Sequence, residues 1–316
     1  MGVIVDGVNR RDSLLAVLVA VLWGFNFVVI DWGLETREGH AVPPLLLLAV
    51  RFVLVAFPAV FLLPRPQASW RVVAAVGIFM SLGQFGLLYT SMAAGMPPGL
   101  AGLVLQAQVV LTIVIAAGVL RERPTLMQVV GVVAGALGLV VVALGRGGHV
   151  PVVALVLCLL AALSWAIGNV ISRAAKVPGG LSLTVWSALV VPLPLLALSL
   201  VLDGPEGIRE GVAAFGWEAL VSTVYTVVLA SFVGYGIFNS LLARHPASSV
   251  VPWILLVPPV AIGSAWLLLG EVPSAGELAG GALLVIGALV AQGVVRLPRS
   301  SGVGAPLPEL VESERR

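Results

Sequence analysis

Ten apolar stretches, each about as long as a bilayer is thick, follow one another along this chain with short connections between them. A helix rises about 1.5 Å per residue, so roughly twenty mostly apolar residues carry the backbone through a hydrocarbon core about 30 Å thick. The expected spans are 13–33, 43–63, 70–94, 99–119, 125–145, 151–172, 181–202, 217–242, 248–269 and 276–295. The runs are continuous rather than alternating, and a barrel strand would need only about ten residues, so helices rather than strands must satisfy the backbone. The expected fold class is all-α, a polytopic membrane protein. Charged residues are only 10% of the chain and hydrophobic ones 59%, whereas a water-soluble fold carries roughly a quarter charged residues.

Arg10 and Arg11 precede the first span as they would in a secretory leader. The span lacks a small-residue cleavage site and runs on through Trp23 and Asn26, which predicts a retained helix. The single Cys158 falls inside a span, leaving no intramolecular disulfide and a packing role. With the amino terminus in the cytoplasm, thirteen basic residues collect on the cytoplasmic side (Arg10, Arg11, Arg65, Arg71, Arg121, Arg123, Arg173, Lys176, Arg244, Arg296, Arg299, Arg315, Arg316) against three outside (Arg37, Arg146, Arg209). That bias predicts both termini in the cytoplasm, as an even number of spans requires. The basic balance thus reflects topology, and no nucleic-acid partner is expected. The segment 297–316, rich in Ser, Gly and Pro, reads as a disordered cytoplasmic tail.

A shift of 149 positions superimposes Pro97 on Pro246, Glu122 on Glu271, Pro124 on Pro273, Thr125 on Ser274, Gly131 on Gly280 and Gly138 on Gly287. Upstream, a shift of 142 brings Trp23 onto Trp165, and Asn26 and Asn169 each follow their Trp by about one helical turn. The chain therefore divides into one five-span repeat over 1–146 and a second over 147–296. Five is odd, so the second repeat enters the membrane from the opposite side. Two like halves in opposite orientation can exchange conformations, which opens one site to each side in turn. The small-residue spacing of Gly131 and Gly135, and of Gly276 and Gly280, also suits close helix packing.

Polar side chains at mid-span are costly in hydrocarbon and should face other helices or a water-filled cavity. Trp23 with Asn26, and Trp165 with Asn169, each set an aromatic plate beside an amide on one helical face. Ser231, Tyr235 and Asn239 recur every four residues, which predicts a polar stripe. Gln84, Gln106, Gln108, Trp186 and Trp253 add neutral groups; Gln106 and Gln108 lie about 200° apart on a regular helix, so one at most should face a central cavity. Such a lining suits a small amphipathic solute, since amides bond amino and carboxyl groups while aromatic faces attract ammonium ions. Arg51 is the only basic residue deep in a span, with two readings open: holding a substrate carboxylate, or bonding helix carbonyls. Glu122 and Glu271 sit at equivalent span ends, where capping or pairing is expected.

No Gly-x-x-x-x-Gly-Lys loop exists, and the sole lysine, Lys176, is followed by Val177, so the chain hydrolyses no ATP through a phosphate loop. His40, His149 and His245 all fall in expected loops, and no paired acids, metal-binding helix or nucleophile set appears. No enzyme, no metal and no cofactor is expected.

The runs Leu22 to Ile30, Arg51-Phe52 with Leu54 to Pro58, Gly95 to Ala101 continuing to Gln108, Ser164 to Asn169, and Val233 to Ile237 resemble EamA-type members of the drug/metabolite transporter superfamily. The likeness covers the chain except its last twenty residues and is greatest to bacterial inner-membrane exporters of amino acids, those for aromatic amino acids and for O-acetylserine and cysteine. The resemblance implies ten helices in two inverted repeats, a bacterial inner-membrane location, and export of amino acids or related metabolites. It places a central cavity near Trp23, Asn26, Gln84, Gln106, Trp165, Asn169 and Tyr235; the helical spacing adds Asn239. The partners implied are a small-molecule substrate and the lipid bilayer, with a homo-oligomer left open. Exporters of other drug-like or sugar-nucleotide solutes, and a non-carrier channel, are the competing expectations.

Overall fold

The computed structural model describes residues 9–35, 41–57, 59–145, 150–176 and 180–293. The expected tail over 297–316, and the loops with His40 and His149, lie outside them. The described elements are all helical. Eight helices are long and apolar enough to cross a membrane: α1 Arg10–Leu34, α2 Pro44–Leu62, α3 Trp70–Ala93, α4 Pro98–Val119, α5 Leu126–Gly145, α6 Val152–Ala174, α8 Trp217–Arg244 and α9 Val251–Leu269. Between them α7 is a pair, Leu181–Ala188 and Pro192–Ala213, bent by 42°, and α10, Ala275–Ala291, is a shorter apolar helix. Leu137, Val140 and Leu144 of α5 and Leu193, Leu200 and Val201 of α7 lie exposed on the outer surface, as side chains facing lipid tails do.

Local chemistry sets the helix ends. Asn9 caps α1 by accepting the Asp12 N–H at 2.9 Å. Asp12 in turn accepts from Arg244 at 2.9 Å and meets His245 at 2.7 Å, which ties the start of α1 to the end of α8. Ser274 and Glu277 form a capping box at the start of α10. Thr125 and Gln128, 149 positions earlier, make the same reciprocal pair at the start of α5, at 2.8 and 3.3 Å.

Besides the bend of α7, three further departures from regular α-helix separate the structure from the periodicity reading. The first is that α3 and α8 each contain a π-helical segment, Gly77–Gly83 and Tyr225–Gly234, closed by a glycine. The wide turn frees backbone carbonyls, which must find donors in a membrane. Trp23 Nε1 donates to the Ala230 carbonyl at 3.0 Å, and Ser164 Oγ donates to the Phe79 carbonyl at 2.7 Å. Gly83 and Gly234 permit this approach, since a Cβ there would stand 2.3 Å from Ser164 Oγ and 2.5 Å from Trp23 Nε1. The second is a break in α4 at Leu105 and Gln106, between Pro98–Val104 and Ala107–Val119. The third is the expected connection after Asp203, which stays helical to Ala213 through a kink at Gly204, whose φ is 72°, followed by Pro205.

Helices of one half pack on helices of the other, and the contacts come in related pairs. α1 packs on α8 and α9, and α6 packs on α3 and α4; α2 meets α7, α4 meets α9, and α5 meets α10. Exchanging the first five helices with the last five leaves that contact set unchanged. The closest of these contacts is α5 on α10. A Cβ at Gly131 would stand 2.5 Å from the Gly287 carbonyl, and one at Gly138 would stand 2.6 Å from the Gly280 carbonyl. Position rises on one helix as it falls on the other, so the two run antiparallel in backbone contact.

Candidate functional site

Most of the polar residues singled out along the sequence, from six different helices, are brought together at one cavity of about 790 Å³. Its lining includes Trp23 and Asn26 of α1, Arg51 of α2, Gln84 of α3, Gln106 of α4, Trp165 and Asn169 of α6, and Tyr235 and Asn239 of α8. That volume lies within the usual range of small-molecule sites, about 300–1,000 Å³.

The π segment of α8 and the break in α4 decide how these side chains point. Trp23, anchored on Ala230, stands 4.9 Å from the Tyr235 ring and 5.3 Å from Phe238, a tilted aromatic wall. Unwinding at Gln106 releases the 200° relation, so Gln106 and Gln108 both line the cavity, and Asn169 Nδ2 donates to Gln108 Oε1 at 3.3 Å. The expectation that only one of them would face inward is thereby corrected. Of the expected α8 stripe, Tyr235 and Asn239 line the cavity and Ser231 does not: its Oγ accepts from Arg51 Nη2 and donates to the Thr226 carbonyl within the π segment. Trp186 sits away from the cavity, its Nε1 donating to the Leu63 carbonyl and its ring against Trp70. Trp253 packs among Leu15, Ile237 and Leu242 instead.

Arg51 is 3% exposed. Its Nη1 donates to the Tyr89 hydroxyl and its Nη2 to Ser231 Oγ, both at 3.3 Å, and the guanidinium lies 4.4 Å from the centre of the Phe85 ring. Among the described residues no carboxylate pairs with it. Its Nε has no hydrogen-bond partner there, nor do Asn26 Oδ1 and Asn239 Nδ2. Each such buried group costs about 1–3 kcal/mol unless something completes it. With Gln292 Oε1, which also lines the cavity, that makes two unmatched acceptors and two unmatched donors around a buried, uncompensated cation, a set that a small solute with both an amino and a carboxyl group would complete. Sequence reasoning missed Phe85 and Tyr89, although their four-residue spacing places both on one face of α3.

One end of the cavity is lined by Gln128, Arg173, Lys176 and Gly180, and Glu122 pairs with Arg173 there at 3.0 Å. At the other end α4 and α9 close together: a Cβ on Gly102 would stand 2.6 Å from that of Ala261, and one on Gly99 would stand 3.2 Å from the Ile262 backbone. Glu271 accepts the Gly99 N–H at 3.4 Å across this contact. Burial pushes the Glu271 carboxyl above the ordinary carboxylate range; the Gly99 N–H draws it back, and Asp31 and Glu277 add to the rise. A separate hollow of about 430 Å³, lined by Leu100, Leu103, Ile262 and Glu271, lies at this end.

The EamA-like transporter family matches the chain twice, over residues 11–144 and 152–292. A probable amino-acid metabolite efflux pump of Salmonella typhimurium is 41% identical over 285 residues, covering 88% of this chain and 94% of that protein. Its Escherichia coli counterpart of the same name is 39% identical over the same shares. A crystal structure only 21% identical shares the fold, with a TM-score of 0.57, and the match covers 91% of this chain and 98% of that one. Two matches that together span most of the sequence, on a multi-pass helical bundle with a polar central cavity, show that the chain belongs to the EamA-like transporter family.

Proposed function

We propose that this chain is a secondary exporter of amino acids and related small metabolites, working by alternating access between two inverted five-helix repeats, residues 1–146 and 147–296, in the bacterial inner membrane. The observation that carries the proposal is Arg51: a buried cation with no carboxylate partner among the described residues, beside a cavity of amides and aromatic rings. An amino acid supplies what is missing, its carboxylate to Arg51 and its ammonium to the Asn26 oxygen and the Trp23 and Tyr235 faces. The named efflux pumps at 39–41% identity support this substrate class. Support for inversion comes from the antiparallel contact of α5 on α10, from the duplicated capping boxes, and from helix contacts that survive exchange of the halves. On this reading the spans number ten, with α7 and α10 included. The positive-inside bias places both termini and the Arg173 end of the cavity in the cytoplasm, so the conformation described is inward-open.

Transport by purified protein in liposomes tests this directly. Asn169→Ala or Tyr235→Ala should lower the initial rate of amino-acid counterflow about ten-fold, the loss of one well-placed polar or aromatic contact, and unlabelled amino acids should compete with one another. Organic cations moved in place of any amino acid would overturn the substrate assignment.

A further inference from the structure

Glu122 and Glu271 are counterparts at a shift of 149, and the same shift carries Gly99 to Ser248 at the start of the helical turn that leads into α9. The two glutamates are not used alike. Glu271 holds the Gly99 N–H at 3.4 Å where α4 and α9 are closed, while Glu122 is bonded to Arg173 at 3.0 Å, at the end where the cavity opens. A second pair of counterparts explains the difference. Under the shift of 142 that superimposes the two tryptophans, Arg173 corresponds to Asp31. Asp31 lies near enough to act on Glu271 through its charge. Glu122 thus has an attractive neighbour that draws it away from the start of α9, and Glu271 has a repulsive one that leaves the α4 amide as its best partner.

Resting on the alternating-access reading, we propose that Glu271 and Glu122 are alternating gate residues: Glu271 closes the outer end by holding the start of α4, Glu122 closes the inner end by holding the start of α9, and the charges at Asp31 and Arg173 set which of the two is engaged at rest. In the opposite state Glu122 leaves Arg173 for the Ser248 N–H, and Glu271 gives up Gly99. The two are positioning residues, acting on helix ends rather than on the solute.

The test reads conformation without needing a substrate, so it separates failure of this proposal from failure of the transport reading, which counterflow alone reports. In the full chain with Cys158→Ala, two single cysteines serve as reporters: Leu103→Cys, 1% exposed at the closed end, and Ser172→Cys, which lines the open cavity. Labelling by a polar maleimide in lipid nanodiscs gives their ratio. E271A should raise Leu103→Cys labelling about five-fold relative to Ser172→Cys, the worth of one hydrogen bond, while E271Q, whose amide oxygen still accepts from Gly99, should leave it near the parent value. R173D, which repels Glu122 onto the inner gate and leaves Glu271 untouched, should shift the ratio in the same direction as E271A. Adding E122A to R173D should reverse that shift. The proposal is overturned if R173D leaves the ratio unchanged, if E122A does not reverse it, or if E271Q behaves like E271A. R173D and its reversal stand as the test should E271A fail to fold.

Discussion

Arg51→Gln is expected to abolish most of the proposed amino-acid counterflow, lowering the initial rate about thirty-fold or more, while leaving thermal stability unchanged or higher. The size of the effect follows from charge-assisted hydrogen bonds, worth about 1.5–3 kcal/mol each where water is excluded, and about 1.4 kcal/mol is ten-fold in affinity. The direction of the stability change separates two roles for this residue. Were the guanidinium there to hold helices together through Tyr89 and Ser231, its removal would destabilise the bundle. As a buried cation without a carboxylate among the described residues, it costs the empty protein desolvation that an amide does not. Arg51→Lys is expected to fall between, keeping the charge and losing the planar fork that matches a carboxylate. Counterflow rates and melting curves from the same preparations decide it, and a drop in both together would assign Arg51 to architecture.

The second large effect is expected at Gly138→Leu. A side chain there meets the Gly280 carbonyl and the Leu284 amide at 2.6 Å, backbone atoms that no rotamer change can move, so α5 and α10 must separate. Overpacking of that kind costs about 1–3 kcal/mol, which for a chain of this size lowers the melting temperature by roughly 3–10 °C. Leu137→Ala, one position away on the exposed face of α5, is the control and should change little. Equal sensitivity at the two positions would mean that the helix contact is not what holds this end of the bundle.

Much of this arrangement is legible in the sequence because the membrane restricts the choices. Span length, the two glycine pairs, and the paired Trp and Asn residues each express a requirement that hydrocarbon imposes; the glycines meet where α5 packs on α10, and the Trp and Asn pairs line one cavity. What escaped the periodicity argument are the places where the helices stop being regular. The π segment of α8 engages Ser231 through the Thr226 carbonyl, the unwound Gln106 brings Gln108 inward, and α7 divides at Pro192 and again at Gly204. None of these can be read from a 3.6-residue repeat, since each is a departure from it that neighbouring helices stabilise. Asp12, Arg244 and His245 escaped for another reason: more than 200 residues separate the partners, and nothing local in the sequence marks them as a cluster.

Trans-stimulation is the most direct measurement of the central claim, that two like halves exchange conformations around one cavity. Liposomes preloaded with an unlabelled amino acid should accumulate the labelled compound several-fold faster than empty ones, because the return step of a carrier is quicker when its site is occupied. Uptake of the labelled compound that is independent of the preload, and fast beyond any conformational cycle, would make the cavity a channel and contradict the account.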